Sequence, residues 1–314
     1  MVEMMISITI GLMIVSALVG VLISTSGSTK TNDRTAELQS NGRYALDQLK
    51  RELREAGYRG YTAQAPQSAG WTTPNIPGEC GTAGSFVKNI RQAVWGQNDS
   101  NPFAANCIPA ASYSLGDVLV IRNAANTPTP LANALANTIY LRSTYATANV
   151  LQGSSLPADA ATAANFALVE HVYYISPFTN SAGTTGVATE SPQVPALYRV
   201  SLQANGSMTA ELIVTGIEHM QVEYGMTNSD GTIQYFSASS IGSATDHSAT
   251  GATSWDQISA VRIWLLARNS KAETGYSNTS SYTMGDITYG PVNDSFRRQV
   301  FTSVVQLRNF RNAN

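Results

Sequence analysis

The sequence predicts an α+β protein in which one long N-terminal helix packs on a C-terminal antiparallel β-sheet head domain. Residues 4–23 form an apolar run, residues 33–58 continue with a helical amphipathic pattern, and the first proline is Pro66. Beyond residue 112, short runs rich in β-branched and aromatic residues alternate with turn residues. A long helix followed by a succession of strands is typical of the α+β class with an antiparallel sheet.

The apolar run is long enough to cross a membrane. Its twenty residues are all apolar except for a few small ones, Ser7, Thr9, Gly11, Ser16 and Gly20. As a helix it spans about 30 Å, the thickness of the hydrocarbon core of a bilayer. A cleaved signal peptide would need a basic segment before a shorter apolar core, whereas no Lys or Arg precedes this run. We therefore expect a retained transmembrane helix over about residues 4–23.

Small residues recur every four positions in this segment, at Ser16, Gly20, Ser24 and Ser28. Such a stripe lets a second helix approach closely, so Ser16, Gly20 and Ser24 are candidate helix-packing residues. Membrane segments are also often rich in Gly and Ser without a packing role, and the pattern alone does not decide between these two interpretations.

The helical pattern continues beyond the apolar run as an amphipathic segment. One apolar stripe recurs there at spacings of three and four, formed by Leu46, Leu49, Leu53 and Ala56. We predict one helix of about 55 residues, roughly 80 Å long, which occupies residues 1–57 and carries the head on its three leucines. Residues 24–33 (STSGSTKTND) are poor in helix formers and are expected to bend or unwind.

Residues 58–314 are predicted to form a β-rich head. Eight runs have the composition of strands, namely 117–122, 138–143, 168–176, 196–202, 219–226, 232–237, 258–268 and 298–309. The sequence NSDG at 228–231 is typical of a hairpin connection. Residues 61–112 are rich in Pro, Gly, Ala and Asn and are expected to be irregular.

Two cysteines, Cys80 and Cys107, lie in this irregular region. They do not form a C-x-x-C pair, which argues against zinc binding and thioredoxin-like chemistry. In an oxidising compartment we expect them to form one disulfide bond. In the chain-entropy model, such a bond contributes about 3 to 4 kcal/mol to stability.

The sequence does not indicate an enzyme, a metal site or a cofactor. It contains no G-x-S-x-G, H-E-x-x-H, P-loop or Gly-rich dinucleotide motif. His171 and His219 are interpreted as sheet residues, and His247 lies in a Ser/Thr/Gly-rich loop. The segment TNSDG resembles a fragment of a calcium loop but lacks its first aspartate and its bidentate glutamate, which favours a turn.

The charge distribution does not indicate a nucleic-acid partner. The net charge is −2 and only 13% of the residues are charged, which gives no general attraction to nucleic acid. Four arginines gather near the C-terminus and are interpreted as solvated surface, namely Arg297, Arg298, Arg308 and Arg311.

Glu3 is the only charged residue before Lys30 and stands at the edge of the apolar run. An unpaired carboxylate in hydrocarbon costs about 3 kcal/mol or more, so Glu3 must be held at the interface, protonated or paired. Pairing with a cation would also select a neighbour and a register. The alternative is an ordinary carboxylate at a helix N-terminus, stabilised by about 0.3 to 1 kcal/mol through the helix dipole.

Several ordered motifs resemble a known family. VEMMISITIGLMIVSALVG looks like the N-terminal helix of type IV pilins after removal of their leader. NGRYALDQLKRELREAGYRG at 41–60 is similar to the segment that follows this helix in PilW-family minor pilins. Late segments agree as well, namely TGIEHMQVEYG, DGTIQYF, ISAVRIWLLARNS and RRQVFTSVVQLRN. The resemblance is weakest across residues 61–112 and 143–165.

The resemblance implies a structural, non-catalytic subunit of a type IV pilus. In that family Glu3 would pair with the N-terminal amine of a neighbouring subunit, which is usually carried by an N-methylated phenylalanine. The expected partners are other minor pilins, the major pilin and the inner-membrane assembly machinery. The subunit would prime assembly at or near the tip, first in the bacterial inner membrane with its head in the periplasm and then in the extracellular pilus.

The sequence is also compatible with two other functions. The N-terminal helix also fits a type II secretion pseudopilin, and the head could be a tip adhesin with its binding site in residues 61–112.

The start of the sequence departs from the family pattern. Pilin precursors have a basic leader that ends in Gly before Phe, whereas this sequence begins Met1-Val2-Glu3. We expect the mature N-terminus to lie two residues upstream.

Overall fold

The computed structural model describes residues 1–62, 76–81, 84–158, 160–179, 181–182, 187–188, 190–228, 230–241 and 254–309. Helix α1 (Val2–Glu55) is a single helix of 54 residues. The prediction that residues 24–33 unwind is wrong, because α1 passes through them without interruption. Threonine hydroxyls bond to carbonyls one turn back in this region, Thr25 to Val21 and Thr29 to Thr25, so these side chains do not compete with the helix.

In the described part of the chain, short helical elements and fifteen strands follow α1. The helices are α2 (Ser85–Lys88) and α3 (Ala238–Ile241), and short 3-10 turns occupy Ala110–Ser112, Leu131–Asn133, Gly153–Ser155 and Ser254–Gln257. The first strands are β1 (Val94–Gln97), β2 (Val118–Pro128), β3 (Ile139–Thr144), β4 (Ala148–Gln152) and β5 (Ala163–Ser176). Next come β6 (Ser181–Ala182), β7 (Val187–Ala188), β8 (Ala196–Leu202), β9 (Met208–Thr215) and β10 (Ile217–Thr227). The last are β11 (Ile233–Ser237), β12 (Ile258–Arg268), β13 (Tyr282–Met284), β14 (Ile287–Tyr289) and β15 (Arg298–Gln306).

The strands form two main sheets, and every pairing is antiparallel. The larger sheet has the order β1-β2-β5-β3-β4, with β8 paired to the C-terminal part of β5 and β9 paired to β8. The smaller sheet has the order β11-β10-β12-β15. All eight predicted strands are present, β10 and β11 pair as the predicted hairpin, and the predicted fold class is confirmed.

The region 61–112 contains structure that the sequence analysis did not predict. It includes α2 and β1, and β1 pairs with β2. Trp95 of β1 is fully buried, and its ring lies 6.0 Å from that of Trp255 and 5.9 Å from that of Phe103. The segment therefore closes the core of the head. Residues 63–75 and 82–83 lie outside the described part of the chain.

Cys80 and Cys107 form a disulfide bond beside this part of the core. The neighbouring Glu79 is buried and accepts hydrogen bonds from the amides of Gly84, Phe86 and Val87. These amides open α2 and have no acceptor within so short a helix. The disulfide and Glu79 together fix α2 against the head.

The two sheets and α1 share one hydrophobic core. Strand β10 packs against β5 and β8 of the larger sheet, while α1 lies over β12 and β15 and reaches β9. Across β2 and β5, Arg122 and Glu170 form a fully buried ion pair at 3.3 Å. Burial of both charges makes this pair sensitive to loss of either partner.

At Gly42 the backbone of α1 lies very close to a side chain of the head, the ring of Phe301 in β15. A Cβ atom at this position would lie 2.2 Å from the nearest ring carbon of Phe301 in β15. The absence of a side chain at Gly42 therefore lets the aromatic ring lie directly on the helix backbone. Gly27 provides a contrast, since a Cβ there would meet nothing within 4 Å.

We predict that Gly42→Ala destabilises the head by about 1 to 3 kcal/mol, because it overpacks the contact with Phe301. Gly27→Ala should leave the melting temperature unchanged or raise it, because alanine favours an exposed helix by up to about 1 kcal/mol. Thermal unfolding of the detergent-solubilised full chain measures both. The loss should shrink when Gly42→Ala is combined with Phe301→Leu, and an undiminished loss in the double variant would contradict the assigned contact.

Candidate assembly site on the N-terminal helix

The N-terminal half of α1 lies outside the head. Residues 1–30 are all exposed, and the large apolar side chains from Val2 to Ile23 are 48% to 72% exposed. Within the described residues, α1 is the one helix long and apolar enough to cross a membrane, with a mean hydropathy of 2.6 over its most apolar window. We call residues 2–23 the apolar rod.

Polar side chains within the apolar rod bond to the helix itself. Ser7 donates to the carbonyl of Glu3 at 2.9 Å, Thr9 to that of Ile6 at 2.8 Å, and Ser16 to that of Met13 at 2.9 Å. These hydroxyls are therefore satisfied without water. The rod can enter an apolar environment with a single charged side chain, that of Glu3.

Glu3 occupies the first turn of α1 and is exposed. Within the described residues it forms no ion pair. Its position fits a favourable interaction with the helix dipole. The predicted pairing of Glu3 with a neighbouring subunit concerns a second molecule and stays a prediction.

The small-residue stripe is on the surface of the rod. Ser16, Gly20 and Ser24 are all exposed, and a Cβ at Gly20 would meet nothing within 4 Å. No contact within the described chain therefore explains a glycine there, in contrast to Gly42. Glycine in a helix interior costs roughly 0.5 to 1 kcal/mol relative to alanine.

The C-terminal half of α1 packs on the head through one stripe, which consists of Leu38, Gly42, Ala45, Leu49 and Leu53. Leu49 and Leu53 are fully buried, whereas Leu46 lies at the border of the stripe and is partly buried. The opposite face is exposed and mostly charged, with Arg43, Asp47, Arg51 and Arg54. The head thus covers one side of this half and leaves the other side free.

A partly buried polar network joins α1 to the larger sheet beside this stripe. One carboxylate oxygen of Glu52 lies 2.6 Å from Nδ1 of His171 in β5, and the other lies 2.6 Å from the guanidinium of Arg199 in β8. Arg199 also bonds to Glu211 in β9 at 2.7 Å. Gln48 donates to Glu52 at 2.8 Å from one turn earlier in the helix.

The network stabilises the ionised form of Glu52. Burial raises the pKa of Glu52, but hydrogen bonds and charges from His171, Tyr173 and Arg199 outweigh it and lower the pKa to about 2. The helical pattern of residues 33–58 did not single out Glu52. Its position one turn after Gln48, on the flank of the buried stripe, is the signal that could have revealed it.

The segment after α1 anchors the helix end to two parts of the head. The amide of Gly57 donates to the carbonyl of Arg122 at 2.9 Å, and that of Ala124 donates to the carbonyl of Tyr58 at 2.7 Å. Arg59 is buried and bonds to the carbonyls of residues 90 and 91. The AGYRG sequence at 56–60 thus connects the helix to β2 and to the loop before β1.

Two further contacts hold the ends of the packed half. Thr31 donates to Glu273 at 3.1 Å, and Arg297 holds the same carboxylate at 2.5 and 3.0 Å. At the other end, the side-chain amide of Asn309 bonds to the carbonyls of Arg54 and Glu55 at 3.1 and 3.2 Å. Thr31 therefore marks the point where α1 leaves the head.

The other described histidine, His219, and the described C-terminal arginines either have structural partners or lie on the surface. His219 lies in β10, as its interpretation as a sheet residue predicted, and its buried ring lies 5.4 Å from that of Tyr289. Arg298 is buried and pairs with Glu218 and Asp294, so the interpretation of Arg298 as solvated surface is wrong. Arg308 is exposed, whereas His247 and Arg311 lie outside the described residues. In the described part of the chain, no three His, Cys, Asp or Glu side chains are placed to hold a metal ion.

We predict that Glu52→Gln lowers stability at pH 7 by up to about 3 kcal/mol, because a depressed pKa stabilises the folded state wherever the carboxylate is ionised in both states. This stabilisation is present above the ordinary pKa near 4.5 and is lost as the pH falls towards 2. Denaturant unfolding from pH 7 to pH 2 should therefore show the wild type and the variant converging below pH 4.5. A constant difference over that range would contradict the role of the Glu52 charge.

The chain resembles a known protein family in its C-terminal part. The family described as Type IV Pilus-assembly protein W matches residues 172–309, from the second half of β5 to the contact of Asn309 with α1. No curated protein matches the chain. A type IV-like pilin from Thermus thermophilus is similar among solved structures, with 11% identity and a TM-score of 0.35 over 90% of this chain and 100% of that one. The family match over residues 172–309 confirms the resemblance to the PilW family in this C-terminal part of the chain.

Proposed function

We propose that this chain is a minor pilin, a structural subunit that joins the complex which primes a type IV pilus at or near its tip. One observation carries the proposal. The apolar rod is exposed on all sides in a chain whose head matches a pilus-assembly family. Such a rod needs either lipid or other apolar helices around it, and a pilin uses both in succession.

The proposed division of labour follows the two halves of the chain. Residues 1–57 form the spine, which crosses the bacterial inner membrane over about residues 4–23. Residues 58–314 form the head, which lies in the periplasm before assembly and on the extracellular pilus afterwards. The partners are other minor pilins, the major pilin and the inner-membrane assembly machinery.

Assembly moves the apolar rod from lipid into a bundle of similar helices. The hydrophobic effect does not favour this step, because lipid is as apolar as the helices. Packing between small residues and pairing of charges must therefore supply the specificity. Ser16, Gly20 and Ser24 would admit a neighbouring helix, and Glu3 would pair with the N-terminal amine of a neighbouring subunit.

Pairing of Glu3 also removes the main obstacle to assembly. An isolated carboxylate inside an apolar bundle is costly, whereas a carboxylate beside an ammonium group is compensated when the geometry is good. The same requirement selects one register between neighbouring helices. The other polar groups of the rod near Glu3 are already bonded to their own backbone, so they do not compete for the amine.

We predict that Gly20→Leu reduces incorporation of the subunit into surface filaments by about tenfold or more, because a bulky side chain keeps the neighbouring helix at a distance. The variant should reach the membrane at the normal level, since a side chain at Gly20 meets nothing within the chain. Immunoblots of sheared filaments and of membranes measure the two quantities separately.

A matched control adds bulk to the other side of the same helix. Leu18 lies about 160° around the helix from Gly20 and is 64% exposed. Leu18→Phe should retain most of the incorporation. Equal losses for both variants would mean that the small-residue stripe has no specific role, and normal incorporation of Gly20→Leu would contradict the proposed helix contact.

A further inference from the structure

Strand β15 has an unusual free edge. It pairs with β12 over all nine of its residues without a register shift. In the part of the chain that the structure describes, the backbone groups on its other edge make no hydrogen bond. From Gln299 to Gln306 the strand contains neither a charged residue nor a proline.

The other edge strands are shorter or interrupted. Strands β1, β4 and β11 have four or five residues. Strand β9 has eight, but it carries Glu211 in its middle and a register shift where it pairs with Leu197 and Tyr198. Charges, bulges and short length are the usual protections of an exposed edge. Apart from its first residue, the buried and paired Arg298, β15 is the one strand among these edges that lacks all three protections, which indicates that it receives a partner strand.

The edge lies beside the helix that the proposed function places against neighbours. The ring of Phe301 lies on Gly42, and Asn309, just beyond β15, contacts Arg54 and Glu55. Strand β15 therefore runs alongside α1 and in the same direction. Two chains whose helices cross one membrane in the same sense also have their β15 strands in the same direction.

This common direction limits which strand can pair with β15. Antiparallel pairing of two β15 strands would require oppositely oriented heads, which a shared membrane forbids. In the order β11-β10-β12-β15, all neighbours are antiparallel, so β11 and β15 run in opposite directions. A neighbouring head in the same orientation can therefore place its β11 antiparallel to β15 and continue the sheet.

We propose that β15 is an assembly edge that pairs with β11 of a second copy of this chain inserted in the same membrane. This inference rests on the proposed function only for the shared membrane orientation of the two chains. The contact is heterologous, because two different edges meet, and such contacts build open arrays rather than closed dimers. Ile233 of β11 is 39% exposed and Val304 of β15 is 53% exposed, and both lie on the same face of the sheet, where they would pack together.

Cysteine cross-linking in membranes tests this contact. The two natural cysteines are joined to each other, so an added cysteine reports on the partner. We would co-express two differently tagged full-length chains, one with Val304→Cys and one with a cysteine in β11, and oxidise intact membranes. Residues paired across antiparallel strands share a face, with Cβ atoms about 4.5 to 5.5 Å apart, close to the separation that a disulfide needs.

The two faces of β11 provide the internal control. Ile233→Cys and Ser237→Cys share the face of Val304, whereas Gln234→Cys and Phe236→Cys lie on the other face. We expect the doubly tagged dimer to be about tenfold more abundant for at least one same-face pair than for either opposite-face pair, because only a same-face pair brings two Cβ atoms into disulfide range. Thr302→Cys, exposed on the same face of β15, replaces Val304→Cys if that variant does not accumulate.

Two outcomes would overturn the proposal. One is the absence of the doubly tagged dimer for every same-face pair in membranes that contain both chains. The other is a β15 cysteine that cross-links to its own kind as efficiently as to β11. The cross-link is measured in membranes, so it tests the contact between β15 and β11 whether or not filaments form. The amount of the wild-type chain in filaments tests the proposed function separately.

Discussion

The apolar rod needs an apolar environment, and the remainder of the structure depends on this constraint. Sixteen large apolar side chains from Met1 to Ile23 are exposed, and burying each is worth roughly 1.5 to 3 kcal/mol. The total is on the order of tens of kcal/mol, more than the whole stability of a typical domain at about 5 to 15 kcal/mol. The head leaves the rod uncovered in this structure, so we expect its apolar surroundings to come from lipid or from other helices.

The head attaches to the helix in a way that leaves the rod free. Packing begins at Thr31, where Glu273 receives a hydrogen bond, and ends where Asn309 bonds to the last helical carbonyls. Between these points, the buried stripe with Gly42 and the Glu52 network hold one side of α1. Because α1 is one continuous helix, the position of the rod fixes the position of the head. The unprotected edge of β15 lies beside that same helix.

Much of this fold follows from sequence patterns, and the exceptions have physical causes. The eight predicted strands have strong β-branched patterns, whereas β9 (MTAELIVT) mixes helix and strand formers and pairs on one edge alone. Strand β1 (VWGQ) is a strand because Trp95 fills the core beside Trp255, a contact between residues 160 positions apart. The Glu52 network likewise joins a helix to strands distant in sequence. Helix α1 continues through residues 24–33 against their intrinsic propensity, while the predicted pairing of Glu3 concerns a second molecule.

We propose above all that Glu3 joins one subunit to the next by pairing with an amine. Glu3→Gln, introduced at the native gene, keeps the size and the hydrogen-bonding capacity of the side chain and removes its charge. Filament number and the subunit content of sheared filaments then measure assembly, while membrane immunoblots measure supply. If Glu3 pairs with an amine, the variant reaches its normal level in the membrane but is lost from the filaments. Normal filaments that contain the Glu3→Gln subunit at the wild-type level would contradict it.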